Sequence, residues 1–122
     1  MPEEGIVFVS DVGGVKLVRL RAGNLTREAD VEVFGMALEA LAEEPDQKVV
    51  LSFLGVEHLA SLAIGRLVRV QRLMEAGGSE MVLADIDPRI FEVFALTALD
   101  KMFHVFEREG DALAYFKGKA EA

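Results

Sequence analysis

The apolar positions of this chain change period several times, and each change marks an element. Residues 6–9 and 15–20 are rich in β-branched side chains, and they are joined by Asp11-Val12-Gly13-Gly14, whose glycines permit positive φ. That spacing predicts a hairpin of two antiparallel strands. After Gly23-Asn24-Leu25 the period lengthens. Phe34, Ala37, Leu38 and Leu41 recur at helical spacing behind Thr26 as N-cap, until Glu43-Glu44-Pro45 stops the run. The nearly continuous apolar run 48–53 predicts a strand covered on at least one face. Residues 61–76 return to helical spacing, with Ala63, Leu67, Val70 and Met74 on one stripe and Gly77-Gly78 as the stop. A strand at 81–84 follows, then Asp87 as N-cap with Pro88 at the first helical position of a short helix through Phe91, Phe94 and Ala95. A short strand at 104–106 and a closing helix at 111–117 complete the pattern.

The resulting order is ββαβαβαβα. Strands separated by single helices demand parallel crossovers, so the expected fold is α/β, with a mixed, mostly parallel sheet carrying an N-terminal antiparallel hairpin. At 122 residues the chain fits a single domain spanning 1–122, with its core over about 5–117 and mobile tails at 1–4 and 118–122.

Composition narrows the function classes. Hydrophobic residues make up 52% of the chain, yet no apolar run approaches the roughly 20 residues that span a bilayer. The Met-Pro-Glu-Glu start lacks the basic residues of a signal peptide, so a cytoplasmic protein without a membrane span is expected. A formal charge of −8 opposes a nucleic-acid surface. With no cysteine there are no disulfides, thiolate metal sites or cysteine nucleophiles, and His58 and His104 stand outside any ligand spacing. No metal and no cofactor are expected. Asp85 and Asp87 form a carboxylate pair, but Asp87 is explained by the cap before Pro88, and nothing else suggests an enzyme.

What remains is a corner. A strand aimed at a helix N-terminus brings its loop, residues 56–60, together with the first helical amides and the Ser61 hydroxyl. At about 100° per residue, Ser61, Gly65, Arg69 and Arg72 fall opposite the apolar stripe, with Val68 among them and Arg66 at the flank. A purely structural account makes Ser61 an N-cap and the arginines a solvated face. The functional account makes Ser61 a phosphoacceptor at the positive end of a helix. In that account Asn24, His58, Ser61, Gly65, Val68, Arg69 and Arg72 contact a partner protein. Phe91, Phe94, Phe103 and Phe106 are core candidates, and any exposed together leave room for a homo-oligomer contact.

Val49-Val50-Leu51 through Gly55-Val56-Glu57, then Ser61 and Gly65, and Gly77-Gly78 before Met81-Val82-Leu83, resemble the STAS domain family of anti-sigma-factor antagonists. The likeness extends to the Gly23-Asn24-Leu25 turn and to Leu96-Thr97-Ala98-Leu99-Asp100-Lys101-Met102-Phe103. It implies a small non-enzymatic switch that binds a regulatory protein, an anti-sigma factor or kinase-like partner, and is phosphorylated on the serine opening the second helix, here Ser61. Where the family pattern has aspartates, this chain has Ser52 and Ala60; the family's next serine and glycine are Leu62 and Ala63. Those departures motivate two alternatives. One is a constitutive scaffold or assembly subunit, including one beside a membrane transporter, and the other is a small-molecule-binding domain.

Overall fold

A computed structural model describes residues 6–121. Its elements are β1 (Val7–Val12), β2 (Val15–Leu20), β3 (Asn24–Leu25), α1 (Glu28–Leu41), β4 (Lys48–Ser52), β5 (His58–Leu59), α2 (Ser61–Ala76), β6 (Glu80–Ala84), α3 (Pro88–Leu96), a 3-10 turn (Leu99–Lys101), β7 (Val105–Phe106) and α4 (Glu109–Glu121). Five strands form one sheet in the order β1-β2-β4-β6-β7, antiparallel only between β1 and β2. The expected α/β architecture, with its mixed sheet and N-terminal hairpin, is what forms.

Alternation along the strands splits the core in two. Val18, Leu20, Val49, Leu51, Met81 and Leu83 point to the face covered by α1, α2 and α3, where Phe34, Leu67 and Phe94 are fully buried. Val15, Leu17, Val50 and Val82 point to the other face, which Ala112 and Phe116 of α4 cover. The continuous apolar runs of β4 and β6 reflect burial on both sides.

Several boundaries differ from the sequence expectation. The hairpin loop is Gly13-Gly14 alone, with φ of 59° and 87°, so β1 runs on through Val12 and not just to Val9. Thr26 is not the N-cap of α1; Arg27 takes that place without a side-chain bond, because Leu25 is still held in β3. The closing helix starts earlier and runs to Glu121, so the expected tail from Gly118 is helical. The other expected tail, 1–4, and residue 122 lie outside the described residues. Of the phenylalanines, Phe94 and Phe103 are core, their ring centroids 5.9 Å apart, whereas Phe91 is exposed and Phe106 half-buried.

Candidate functional site

Parallel strands send their C-terminal ends to one edge of the domain, and helices start there. At that edge β3 and β5 form a two-residue parallel ladder, Asn24 against His58 and Leu25 against Leu59. The Gly23 carbonyl accepts from the Glu57 N–H at 2.6 Å and the Leu25 carbonyl from the Ala60 N–H at 3.0 Å. This ladder brings the Asn24 turn and the loop before α2 together. The His58 ring Nδ1 donates to the Asn24 side-chain oxygen at 2.5 Å, and both residues are exposed. Within the loop, Val56 is buried in the core and Glu57 and His58 carry its outer surface.

Ser61 is exposed, but it is not the N-cap. Ala60 holds that position, with φ −71° and ψ 154°, and no side chain caps the helix. The other helix starts are supplied with anions. α1 carries Glu28 and Asp30 in its first turn. Asp87 caps α3, accepting from the Arg89 N–H at 2.8 Å, and hydrogen bonds from the Arg89 side chain and backbone hold its carboxyl down at about 2. α4 has Glu109 and Asp111 in its first turn, and the Asp85 carboxylate accepts from the Glu109 N–H at 2.9 Å. Among the four helices α2 alone starts with no carboxylate in its first turn or at its cap. Its positive end faces solvent beside a hydroxyl.

Further along α2, Gly65, Val68, Arg69, Arg72 and Leu73 line one shallow depression. Gly65, Arg69 and Arg72 are exposed, while Val68 is half-buried and packs on the core. The expected positive patch is weaker than three arginines suggest. Arg66 reaches across to Glu32 and Glu39 of α1, and Arg69 bonds Glu39 at 3.1 Å. Arg72, among the described residues, makes no ion pair. Arg66 runs close over Gly35 of α1, where a Cβ would lie 3.1 Å from the Arg66 Cδ.

At the end of β4, Ser52 is fully buried. Its hydroxyl accepts from the Leu54 N–H at 3.3 Å. Hydrogen bonding from Arg19, at 2.8 and 3.1 Å, holds Glu109 below the usual carboxylate range against partial burial, with Ser52 assisting. An aspartate at 52 would face Glu109, so a neutral hydroxyl suits this place.

Two residues of the corner escaped the sequence pattern. Leu62 follows Ser61 and is 51% exposed, and Leu54, in the loop after β4, is 64% exposed. Leu62 lies off the buried stripe and Leu54 sits beside a turn glycine, signals that an apolar residue stands outside the core. Between the first turns of α2 and α3 runs a groove lined by Glu57, His58, Leu59, Ile64, Arg89 and Val93. No described helix is long and apolar enough to cross a membrane.

Comparison with known proteins agrees with this fold. The family model described as STAS domain matches residues 12–112. The anti-sigma F factor antagonist of Paenibacillus polymyxa is 26% identical over 100 residues, covering 82% of this chain and 85% of that protein. An anti-sigma-factor antagonist (STAS) domain protein from Planctomyces limnophilus superposes with a TM-score of 0.79 at 24% identity, over 89% of this chain and 95% of that one. The murine Solute Carrier 26 family member A9 anion transporter superposes with a TM-score of 0.74 at 20% identity, over 89% of this chain and 18% of the transporter.

Proposed function

The chain belongs to the STAS domain family, and from that premise we propose that it is an anti-sigma-factor-antagonist-like regulatory module that binds a regulatory protein and carries no chemistry of its own. The contact surface is the corner built by the β3–β5 ladder, the first turn of α2 and the adjoining groove. Asn24, His58 and Ser61 supply its polar contacts, Leu54 and Leu62 its apolar ones, and Gly65, Arg69 and Arg72 its continuation along the helix. Ser61 is the phosphoacceptor.

The observation that carries this proposal is the anion-free start of α2. A phosphoserine at the first helical position adds close to two negative charges where the helix dipole favours them. It meets no carboxylate in the cap or first turn. Recognition changes while the fold persists. The experiment is incubation with the cognate kinase and ATP: the intact mass gains one phosphate, and Ser61→Ala abolishes the gain. Labelling that persists in Ser61→Ala, or no labelling of the wild type, removes the switch.

A second proposal, a constitutive assembly subunit, is favoured by Ser52 and Ala60 standing where the family has aspartates, and by the likeness to a transporter's domain. It predicts partner capture that Ser61→Glu leaves unchanged, whereas the switch predicts that Ser61→Glu weakens capture.

A further inference from the structure

We propose that β1 is the pairing edge of a symmetric dimer, in which two copies of this chain join antiparallel to make one continuous sheet. The two margins of the sheet are unlike. β7 is two residues long, which by itself discourages edge pairing. β1 is six residues long and lacks proline, lysine or a bulge, three devices that protect an open strand, and Asp11 is its one charged residue. Instead it exposes Phe8, Val9 and Val12, at 38%, 52% and 42%.

The ladder defines which main-chain groups are unpaired. A two-residue hairpin loop makes Val12 and Val15 a hydrogen-bonded pair, and alternation then gives Ser10, Phe8 and Ile6 the bonds to β2. The Arg21 N–H bond to the Ile6 carbonyl, at 2.8 Å, ends that series. Val7, Val9 and Asp11 therefore turn their N–H and C=O groups outward.

Three outward residues centred on Val9 are self-complementary. An antiparallel copy with its two-fold axis at Val9 pairs Val9 with Val9 and Val7 with Asp11 twice, so every outward group of both strands is bonded. Other symmetric registers leave one or more outward residues unpaired. In the central register the two Asp11 carboxylates stand four residues apart along the strands, about 13 Å, beyond the screening length at physiological salt. Each is already bonded within its own chain to Lys16, at 3.3 Å, and to the Gly14 N–H. The Asp11 charge is thus offset locally in a chain of charge −8, and the Arg21 guanidinium lies 4.1 Å from the Phe8 ring centroid, so the edge carries no net negative charge among the described residues. Side chains follow the same symmetry. Val9 lies on the face of Val18, where the two copies of Val9 meet, and Phe8 lies on the face of Leu17, where each Phe8 stands opposite the other copy's Ser10.

Sedimentation equilibrium of this 122-residue chain tests the pairing. The mass should rise from 13.3 kDa toward twice that value as concentration goes from about 1 µM to about 1 mM. Val9→Lys places two like charges at the axis, and Val9→Pro removes the central N–H; each should raise the dissociation constant about tenfold or more. Circular dichroism checks that both variants fold. Because the chain has no cysteine, Val9→Cys should cross-link between copies with a short bifunctional maleimide, and Glu75→Cys on α2 should not. A mass that stays at 13.3 kDa throughout, a dimer indifferent to both Val9 variants, or equal cross-linking of the two cysteines overturns the proposal. None of these results bears on Ser61, so the corner and the edge stand or fall separately.

Discussion

The starts of α2 and α3 lie at the same edge of the sheet and are built to opposite ends. α3 begins with Asp87 bonded to the Arg89 amide and guanidinium, a closed arrangement in which the chain supplies its own anion. α2 begins with Ala60 and Ser61, with no side-chain cap and no carboxylate in its first turn. A helix dipole is the same in both places. What differs is whether the neutralising charge is covalently part of the chain, and the open start is the one next to the ladder, the groove and two exposed leucines.

Several substitutions break or sharpen that contrast. The largest effect belongs to Leu67→Ala, which removes the fully buried anchor of α2 and should cost about 2–5 kcal/mol in chemical unfolding. A loss under about 1 kcal/mol would mean that α2 is held by its ends and not by its core. Asp85→Ala opens the start of α4 while leaving a β-carbon at φ 58°, and should cost about 1–2 kcal/mol. Asp85→Gly relieves the backbone and should cost less; equal losses would assign the whole effect to the cap.

Ala60→Asp closes the open start instead. It should stabilise by about 1 kcal/mol in thermal melts, since the helix end gains an anion of its own. A melting temperature that falls would show that the amides already have partners. Leu62→Asp is expected to change stability by less than about 0.5 kcal/mol yet weaken partner capture in a pull-down, the reverse of the Leu67 pattern. The acid limb separates the two starts as well. Asp87 has its carboxyl lowered from 3.8 to about 2, so its contribution is complete above about pH 4 and is lost as pH falls toward 2. Asp87→Asn should flatten that part of the acid unfolding curve, and a substitution that leaves the curve unchanged would detach the Arg89 bonds from stability.

Much of this was legible in the chain. Long periodic segments such as the α2 stripe and the β4 run announce themselves because burial imposes their spacing. Asp87-Pro88 was readable as a helix start because residue type and position agree there. Ser61 was harder: a serine at a strand-to-helix passage suits a cap, and only the β5 ladder, ending in the Ala60 N–H bond to the Leu25 carbonyl, starts the helix one residue earlier, makes Ala60 the cap and leaves Ser61 outward. That ladder is two residues long on each side and leaves no period to detect. The neutralisation of Arg66 and Arg69 was illegible for a different reason. Glu32 and Glu39 lie about 30 positions away, and only the packing of α1 on α2 over Gly35 brings them into reach.

The Leu25–Ala60 bond has a mechanical meaning. α1 departs three residues after Leu25 and α2 one residue after Ala60, so the two helices hang from a common rivet. A protein that grips the beginning of α2 takes hold of α1 through the same point, and any tug delivered at that corner is shared between two levers instead of one.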